Sequence, residues 1–384
     1  MDGRWIGRPL GRKDERVLMK SNMRVAHIDT EMTWRGGQQQ VFSLIQGLNK
    51  NGVTSFPVVR AGSPLSKRLT AAGISVHEVR PMGEWDVMTA FFLSRTLIRQ
   101  KINLMHAHSA HGAALAALVK RFSNIPYVVT RRVDFHLARN PFSRWKYNHA
   151  SRVLAISDKV KEVLEQDGVP HGKISVVKSG IDFSRFQWIE AIPKEMLGVP
   201  SDSLLIGQVA SMADHKDQAT FIKAVALVRP SFRHMRAMIV GDGELKSKLM
   251  GLAKALKVDD VIHFMGFRDD ALRLLKSFDI FCLSSKEEGL GTSVLDAMAL
   301  MVPVVATRAG GIPEMVKDGV TGYLAKPQDP QNLAEALNRA IIAGSNNKLI
   351  CSRAFEMAKR YDISNTVSQT EMVYKLVLNA VPAS

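Results

Sequence analysis

Ile280-Phe281-Cys282-Leu283 runs into Ser284-Ser285-Lys286-Glu287-Glu288-Gly289-Leu290-Gly291-Thr292-Ser293-Val294-Leu295-Asp296. The short apolar run reads as a buried strand, and the segment after it opens a helix that continues to Leu300. Strand, glycine-bearing turn and helix in that order form the unit from which open parallel sheets are built. Glycines at 289 and 291 leave the amides of Gly291, Thr292 and Ser293 free at the helix N-terminus, where the dipole adds roughly 0.3–1 kcal/mol per bound negative charge. The turn reads as an anion cradle. Glu288 and Asp296 lie eight residues apart, just over two helical turns, so a straight helix through both turns them to one cleft. One carboxylate at the helix mouth and one deeper suit two hydroxyl-rich groups flanking a diphosphate. The plainer alternative for Glu288 is an acidic helix start followed by a solvated face.

The same alternation extends outward in both directions. Toward the N-terminus, strands are expected at residues 24–29, 55–59, 75–79, 104–108, 127–130, 153–156 and 174–177, with helices between them at 38–48, 88–99 and 158–166 among others. Residues 186–203, with two prolines and mixed polarity, interrupt the pattern. It restarts with strands at 204–209, 237–240, 261–264, 280–283 and 303–306. Two βα series predict an α/β chain of two Rossmann-like, doubly wound domains facing across a cleft, with ligands beyond the carboxyl ends of the strands. The expected division is a flexible leader at 1–22, a first Rossmann-like domain at 23–186, a linker at 187–203, and a second Rossmann-like domain at 204–348. A helical segment at 349–384 then packs back toward the first domain. At 384 residues the chain suits two domains.

Composition narrows the class. The chain is 46% hydrophobic and 23% charged, and its longest apolar run, Ala113 to Val119, is far too short to span a bilayer. The first 22 residues carry six Lys/Arg and three Asp/Glu without a signal-peptide core, which reads as a disordered leader or an upstream start ahead of Met23. Cys282 and Cys351 are the only cysteines and point to a reducing compartment, hence a cytoplasmic protein. Charge is one-sided. Residues 1–190 hold 29 Lys/Arg against 15 Asp/Glu, and the remainder 23 against 21. The first half should therefore face an anionic partner, with solubility charge as the alternative.

Further motifs flank the central segment. Trp34-Arg35-Gly36-Gly37-Gln38 follows the first strand, and its paired glycines permit close ligand approach or simply a turn. Pro303-Val304-Val305-Ala306-Thr307-Arg308-Ala309-Gly310-Gly311-Ile312-Pro313-Glu314 leads into Asp318-Gly319-Val320-Thr321-Gly322-Tyr323. With the central segment, this block resembles the donor-binding region of family 4 glycosyltransferases of the GT-B fold. The family's E-x7-E motif maps onto Glu288 and Asp296, here E-x7-D. Val240-Gly241-Asp242-Gly243 looks like its GDG turn, and His263-Phe264-Met265-Gly266-Phe267 resembles the strand and turn that place the base. Lys178-Ser179-Gly180-Ile181-Asp182 resembles the NG-hydrophobic-D pattern near the domain junction, with Ser for Asn. Tyr127–Thr130 and Ala155-Ile156-Ser157 are similar to the family's first domain. The likeness runs from Met23 to about Ala343, more specific in the second half than in the first.

The resemblance implies a retaining transferase that moves a sugar from a nucleotide diphosphate to an acceptor hydroxyl. By it, Glu288 binds the donor sugar's hydroxyls, Asp296 the ribose, and the amides of Gly291, Thr292 and Ser293 the diphosphate, with Gly289, Gly266, Gly36 and Gly37 in the donor site. The nucleotide sugar is a substrate, so no cofactor is implied. Family members carry an arginine about five residues before a diphosphate-binding lysine. Here Lys216 stands in Gly207-Gln208-Val209-Ala210-Ser211-Met212-Ala213-Asp214-His215-Lys216, and Ser211 occupies the arginine's place. One charge-assisted contact, worth roughly 1.5–3 kcal/mol, is missing. Lys216 alone, His215 or a first-domain arginine is the expected substitute, with a solvated lysine as the plain reading of Lys216.

His106, His108 and His111 cluster after the fourth strand without cysteine or carboxylate partners, so no metal is expected. His108 best matches the family histidine that points at the reacting sugar, a structural histidine being the alternative. Arg131 and Arg132 suit an acidic acceptor or the leaving diphosphate. No D-x-D triplet appears, and departure of the nucleotide without a metal is expected. The expected partners are a nucleotide-sugar donor, an anionic or lipid-linked acceptor and the inner face of an anionic membrane, as in lipopolysaccharide or other cell-envelope glycan assembly. Nucleic acid is not expected, for want of finger spacing, an aromatic run or a Lys/Arg block. A nucleotide-sugar epimerase on the same fold and a non-catalytic nucleotide-sugar binder are the rival readings.

Overall fold

The computed structural model describes residues 23–138 and 141–380; the expected leader lies outside them. Strands β1 (Arg24–Asp29), β2 (Thr54–Arg60), β3 (His77–Val79), β4 (Leu104–Ala107), β5 (Tyr127–Arg131), β6 (Arg152–Ala155) and β7 (Ile174–Val176) form one sheet in the order β3-β2-β1-β4-β5-β6-β7. A second sheet holds β8 (Leu204–Val209), β9 (Met235–Val240), β10 (Ile262–Gly266), β11 (Ile280–Leu283), β12 (Val304–Thr307) and β13 (Tyr323–Ala325), in the order β10-β9-β8-β11-β12-β13. Every pairing is parallel. Helices cover both faces, so β4, β11 and β12 are buried at every position and read as continuous apolar or small-residue runs. Two doubly wound α/β domains face one another across a cleft, as the alternation predicts.

Two local differences from expectation have simple causes. Strand β13 escapes sequence reading because three residues show no period. The helix expected at 38–48 spans Gly36–Lys50, so the paired glycines are its first residues rather than a preceding turn. A Cβ on Gly36 would lie 3.0 Å from Thr292 Oγ1 of the other domain. Small residues here let two helix ends approach.

The C-terminal segment crosses between the domains. Helix Asn347–Lys359 stays with the second, where the Asn347 amide group receives the Tyr323 hydroxyl (2.9 Å) and donates to the Ala340 carbonyl (2.8 Å). The chain then passes Ile181, whose amide donates to the Tyr361 carbonyl (2.8 Å) and whose carbonyl accepts from Ile363 (2.9 Å). Helix Ile363–Asn379 lays Val367, Val373, Tyr374 and Val377 against Leu44 and Leu48 of the Gly36 helix and against β1, β4 and β5 of the first sheet.

Candidate active site

Each sheet reverses its winding between two neighbouring strands, β1 and β4 in the first and β8 and β11 in the second. Loops leaving those strand ends diverge and open a crevice. The site residues expected from sequence are delivered mainly by these loops: Gly36 and Gly37 after β1, His108 after β4, Ser211 to Lys216 after β8, and Ser284 to Gly291 after β11. Strand β5 adds Arg131 and Arg132.

The helix after β11 begins at Thr292, with Gly291 as its N-cap at φ +90° and no side chain capping it. That φ suits glycine, and the helix start, without a side-chain cap, lies close to the start of the Gly36 helix. Glu288 sits in the loop before the helix, so helical spacing does not relate it to Asp296. The loop brings it instead to Lys216, whose ammonium pairs with Glu288 Oε2, while Ser285 Oγ donates to the same oxygen (3.1 Å). Lys216 reaches this point from a 3-10 turn, Asp214–Lys216, closed by Asp217 at φ +45°. The Glu288 amide donates across the cleft to Asp134 Oδ2 (3.0 Å).

Asp296 lies deeper. Burial raises its carboxyl to about 6, with Arg185 opposing, and Oδ1 is a buried acceptor without a hydrogen-bond partner. An unpaired buried acceptor fits a hydroxyl donor such as a ribose. Gly266 ends β10 at φ +67° and accepts from the Gly241 amide (2.8 Å), on the wall formed by β8, β9 and β10 rather than at the cradle. Ser211 offers its carbonyl to Gln218 (2.9 Å). Of the first-domain cations, Arg35 at the start of the Gly36 helix lies near enough to depress His215 electrostatically, after burial and Lys216. The His215 ring meets Phe135 edge-on across the cleft at 5.9 Å.

The first-domain histidines regroup. His111 is on the exposed side of its helix, 3.9 Å from Glu31, and the third member of the cluster is His27 of β1. Among the described residues, His27, His106 and His108 bring ligand atoms within 4.8 Å of one another. Those atoms are mostly engaged. His106 binds Tyr374 Oη and Thr130 Oγ1, both at 2.6 Å, and His108 Nε2 faces His27 Nδ1 at 3.1 Å. Arg132 Nη2 donates to His108 Nδ1 at 3.5 Å, which places the His108 proton on Nε2 and the His27 proton on its unpaired Nε2. Burial, then the neighbouring rings and Arg132, holds His108 and His106 well below the ordinary histidine range, and burial alone takes His27 to about 3. Three neutral rings beside a guanidinium form a hydrogen-bonded stack. His108 is only 3% exposed and reaches the crevice through Arg132.

Arg132 itself is half-buried, its guanidinium lowered to about 10 by desolvation, with Nε unpaired and Ser179 Oγ 3.5 Å from Nη1. Its backbone packs so closely on Gly289 that a Cβ there would lie 2.9 Å from the Arg132 carbonyl carbon. Arg131 turns away, donating to the Phe135 carbonyl at 2.6 Å.

Two family models match the chain in tandem, one described as Glycosyltransferase Family 4 over residues 34–185 and one as Glycosyl transferases group 1 over residues 192–354. An uncharacterized glycosyltransferase of Methanocaldococcus jannaschii is 26% identical over 87% of this chain and 93% of its own. The lipopolysaccharide core biosynthesis glycosyltransferase LpsE of Rhizobium meliloti is 29% identical over 84% and 90%. Among solved structures, Anabaena HepE in complex with UDP-glucose superimposes with a TM-score of 0.82 at 22% identity, covering 92% of this chain and all of that one. The chain is a GT-B glycosyltransferase.

Two contacts between the domains of this glycosyltransferase escape sequence reading. Asp134 gives no signal, because the amide it holds is 154 residues away. Glu314 accepts from the Asp158 amide (2.8 Å) and pairs with Lys178 (2.5 Å), strapping the second domain to the first beside the crevice. Its only trace in sequence is its place at the end of the Gly310-Gly311-Ile312-Pro313 run.

Proposed function

We propose that this glycosyltransferase moves a sugar from a nucleoside diphosphate to an anionic or lipid-linked acceptor, with retained anomeric configuration and without a metal. It would act at the cytoplasmic face of a membrane in cell-envelope glycan assembly. The observation that carries the donor half is the meeting of two glycine-flanked helix starts, Gly36 and Thr292, beside Lys216, with the unpaired Asp296 oxygen further in. Helix-start amides and an ammonium stabilise charge as it develops on the leaving diphosphate oxygen. Glu288, already held by Lys216 and Ser285, is oriented to accept sugar hydroxyls. Asp296 takes the ribose, and Gly266 leaves room along the wall for the base.

Arg132 would meet the acceptor's negative charge or the leaving diphosphate, with Arg131 at the rim, and His108 would serve the reaction by orienting Arg132. Glu288 is tied to an ammonium and is not poised as a nucleophile, which supports front-face attack by the acceptor hydroxyl. The relatives agree in kind: HepE holds UDP-glucose, LpsE is named for lipopolysaccharide core biosynthesis, and an Escherichia coli relative is named for galactosyl transfer to a diphosphoundecaprenol-linked sugar. Among the described residues no helix is long and apolar enough to cross a membrane. A thermal-shift screen against UDP, GDP, ADP and CMP tests the donor half: one diphosphate should raise Tm, and no response to any would remove the reading. Product NMR then reads the anomer, and inversion would refute the retaining route.

A further inference from the structure

Outside the crevice, one part of the first domain presents apolar side chains to water. The loop after β3 holds Met82 and Trp85 outward, 91% and 66% exposed, and helix Val87–Arg99 adds exposed Met88 and Phe92. Positions 88, 92, 95 and 99 share one helical stripe, so Arg95 and Arg99 continue the same face. Arg95 covers the Phe91 ring at 5.2 Å, and Phe91 meets Phe122 edge-on at 5.6 Å.

The exposed loop is braced. Buried Lys146 donates to Glu84 (2.8 Å) and to the Ala110 carbonyl (3.1 Å), and the Asp86 carboxylate takes the amides of Met82 and Thr89, each at 2.9 Å. Trp85 lies on Phe142, ring centroids 3.7 Å apart. A buried lysine and a capping aspartate thus hold a methionine and a tryptophan out in solvent, which marks an interaction site rather than scattered surface. The charge is complementary to an anion. Residues 80–101 contain four Lys/Arg and two acids, Glu84 and Asp86, and both acids are committed to the brace.

We propose that this face docks on an anionic lipid bilayer, with Met82, Trp85, Met88 and Phe92 entering the headgroup region while Arg95 and Arg99 meet lipid phosphates. Phe142, which touches Trp85, follows Asp134 of the crevice by eight residues in the same domain, so the docked face belongs to the domain proposed to take the acceptor. The inference rests on the lipid-linked acceptor reading for its purpose, but its test requires no transfer.

The full chain is sedimented with vesicles of phosphatidylcholine alone and of phosphatidylcholine mixed with phosphatidylglycerol, and its UDP thermal shift is recorded in parallel. The unaltered protein should pellet with the mixed vesicles and far less with the neutral ones. Met82→Ser combined with Trp85→Ser should weaken vesicle binding about tenfold or more, and Arg95→Glu with Arg99→Glu should abolish the preference for anionic lipid. Both variants should keep the UDP shift of the unaltered protein, which shows that they fold. Absence of sedimentation, or variants that pellet undiminished, overturns the proposal. So does a dimer that Met82→Ser with Trp85→Ser dissociates while vesicles bind neither form. Vesicle binding that behaves as expected in a protein no nucleotide stabilises supports docking and counts against the donor reading alone.

Discussion

In the proposed donor site, Lys216 would supply a charge to the diphosphate and Asp296 an unpaired acceptor to the ribose. Lys216→Ala removes the ammonium that pairs with Glu288 and, on the proposed reading, would contact the diphosphate. Nucleoside-diphosphate affinity measured by calorimetry should fall by about 10- to 150-fold, the equivalent of roughly 1.5–3 kcal/mol. Unchanged affinity would place the diphosphate elsewhere. Asp296 has its pKa shifted upward by burial, the reverse of the usual effect of ion pairing on a carboxylate. Its folded-state pKa of about 6 lies above the ordinary 3.8, so the folded protein binds that proton more tightly than the unfolded chain. Its contribution to stability therefore declines as pH rises from about 4 to 6, and above that range the ionised carboxylate carries a burial cost of about 3 kcal/mol. Asp296→Asn should flatten this part of the Tm–pH profile. Should the slope persist in that variant, another group carries it.

At the level of elements, the loops that build the crevice are positioned by what their glycines leave out. Gly289 and Gly310 lie where the domains press together, and Gly310, at φ +48°, would set a Cβ 2.7 Å from Asp134 Oδ2. Gly289→Ala must push the Arg132 backbone away. It should cost about 1–3 kcal/mol, a Tm loss of several degrees by calorimetry, and should lower turnover more than Gly319→Ala, whose Cβ meets open space and whose strain lies only in its φ of +71°. Equal turnover losses would mean that the contact at Gly289 does not shape the crevice. These contacts explain how much was legible in sequence. Strand-helix alternation is a local signal, and it locates β1, β8 and β11 to the residue, because apolar period and turn glycines lie within a few positions of one another. Glu288, Asp296 and Lys216 were legible as motif letters. What joins them was not: Asp134 to Glu288, His27 to His108 and Tyr374 to His106 link residues far apart in the chain, and no local spacing encodes such partners. The helical spacing of Glu288 and Asp296 misled for the converse reason, because Gly291 delays the helix until after Glu288.

Across the whole molecule, the two domains are joined by more than the linker. Lys178 pairs with Glu314 at 2.5 Å and Asp158 at 3.0 Å, and Arg68 pairs with Asp269 at 2.7 Å on the exposed edge. Burial works against the Lys178 charge, yet Glu314 and Asp158 outweigh it and hold its pKa above the ordinary lysine range, so the pair is intact at any physiological pH. Arg68 and Asp269 are both solvent-exposed, and such pairs contribute little. Glu314, only 15% exposed, is the strap with leverage, because it also accepts from the Asp158 amide at the start of a first-domain helix. Glu314→Gln keeps the shape and removes the charge. If the strap sets how far the crevice opens, the variant should show a larger radius of gyration by small-angle scattering, and nucleoside diphosphate should restore the compact value. Its donor KM should rise about fivefold, in line with one partly buried pair, with kcat nearly unchanged, because a closed complex once formed has the same chemistry. Arg68→Ala should move neither quantity. A Glu314 variant as compact as the parent, with the parent's KM, would show instead that closure is fixed by the C-terminal helix, whose Val367, Tyr374 and Val377 are buried against the first domain and stay there whatever happens at the strap.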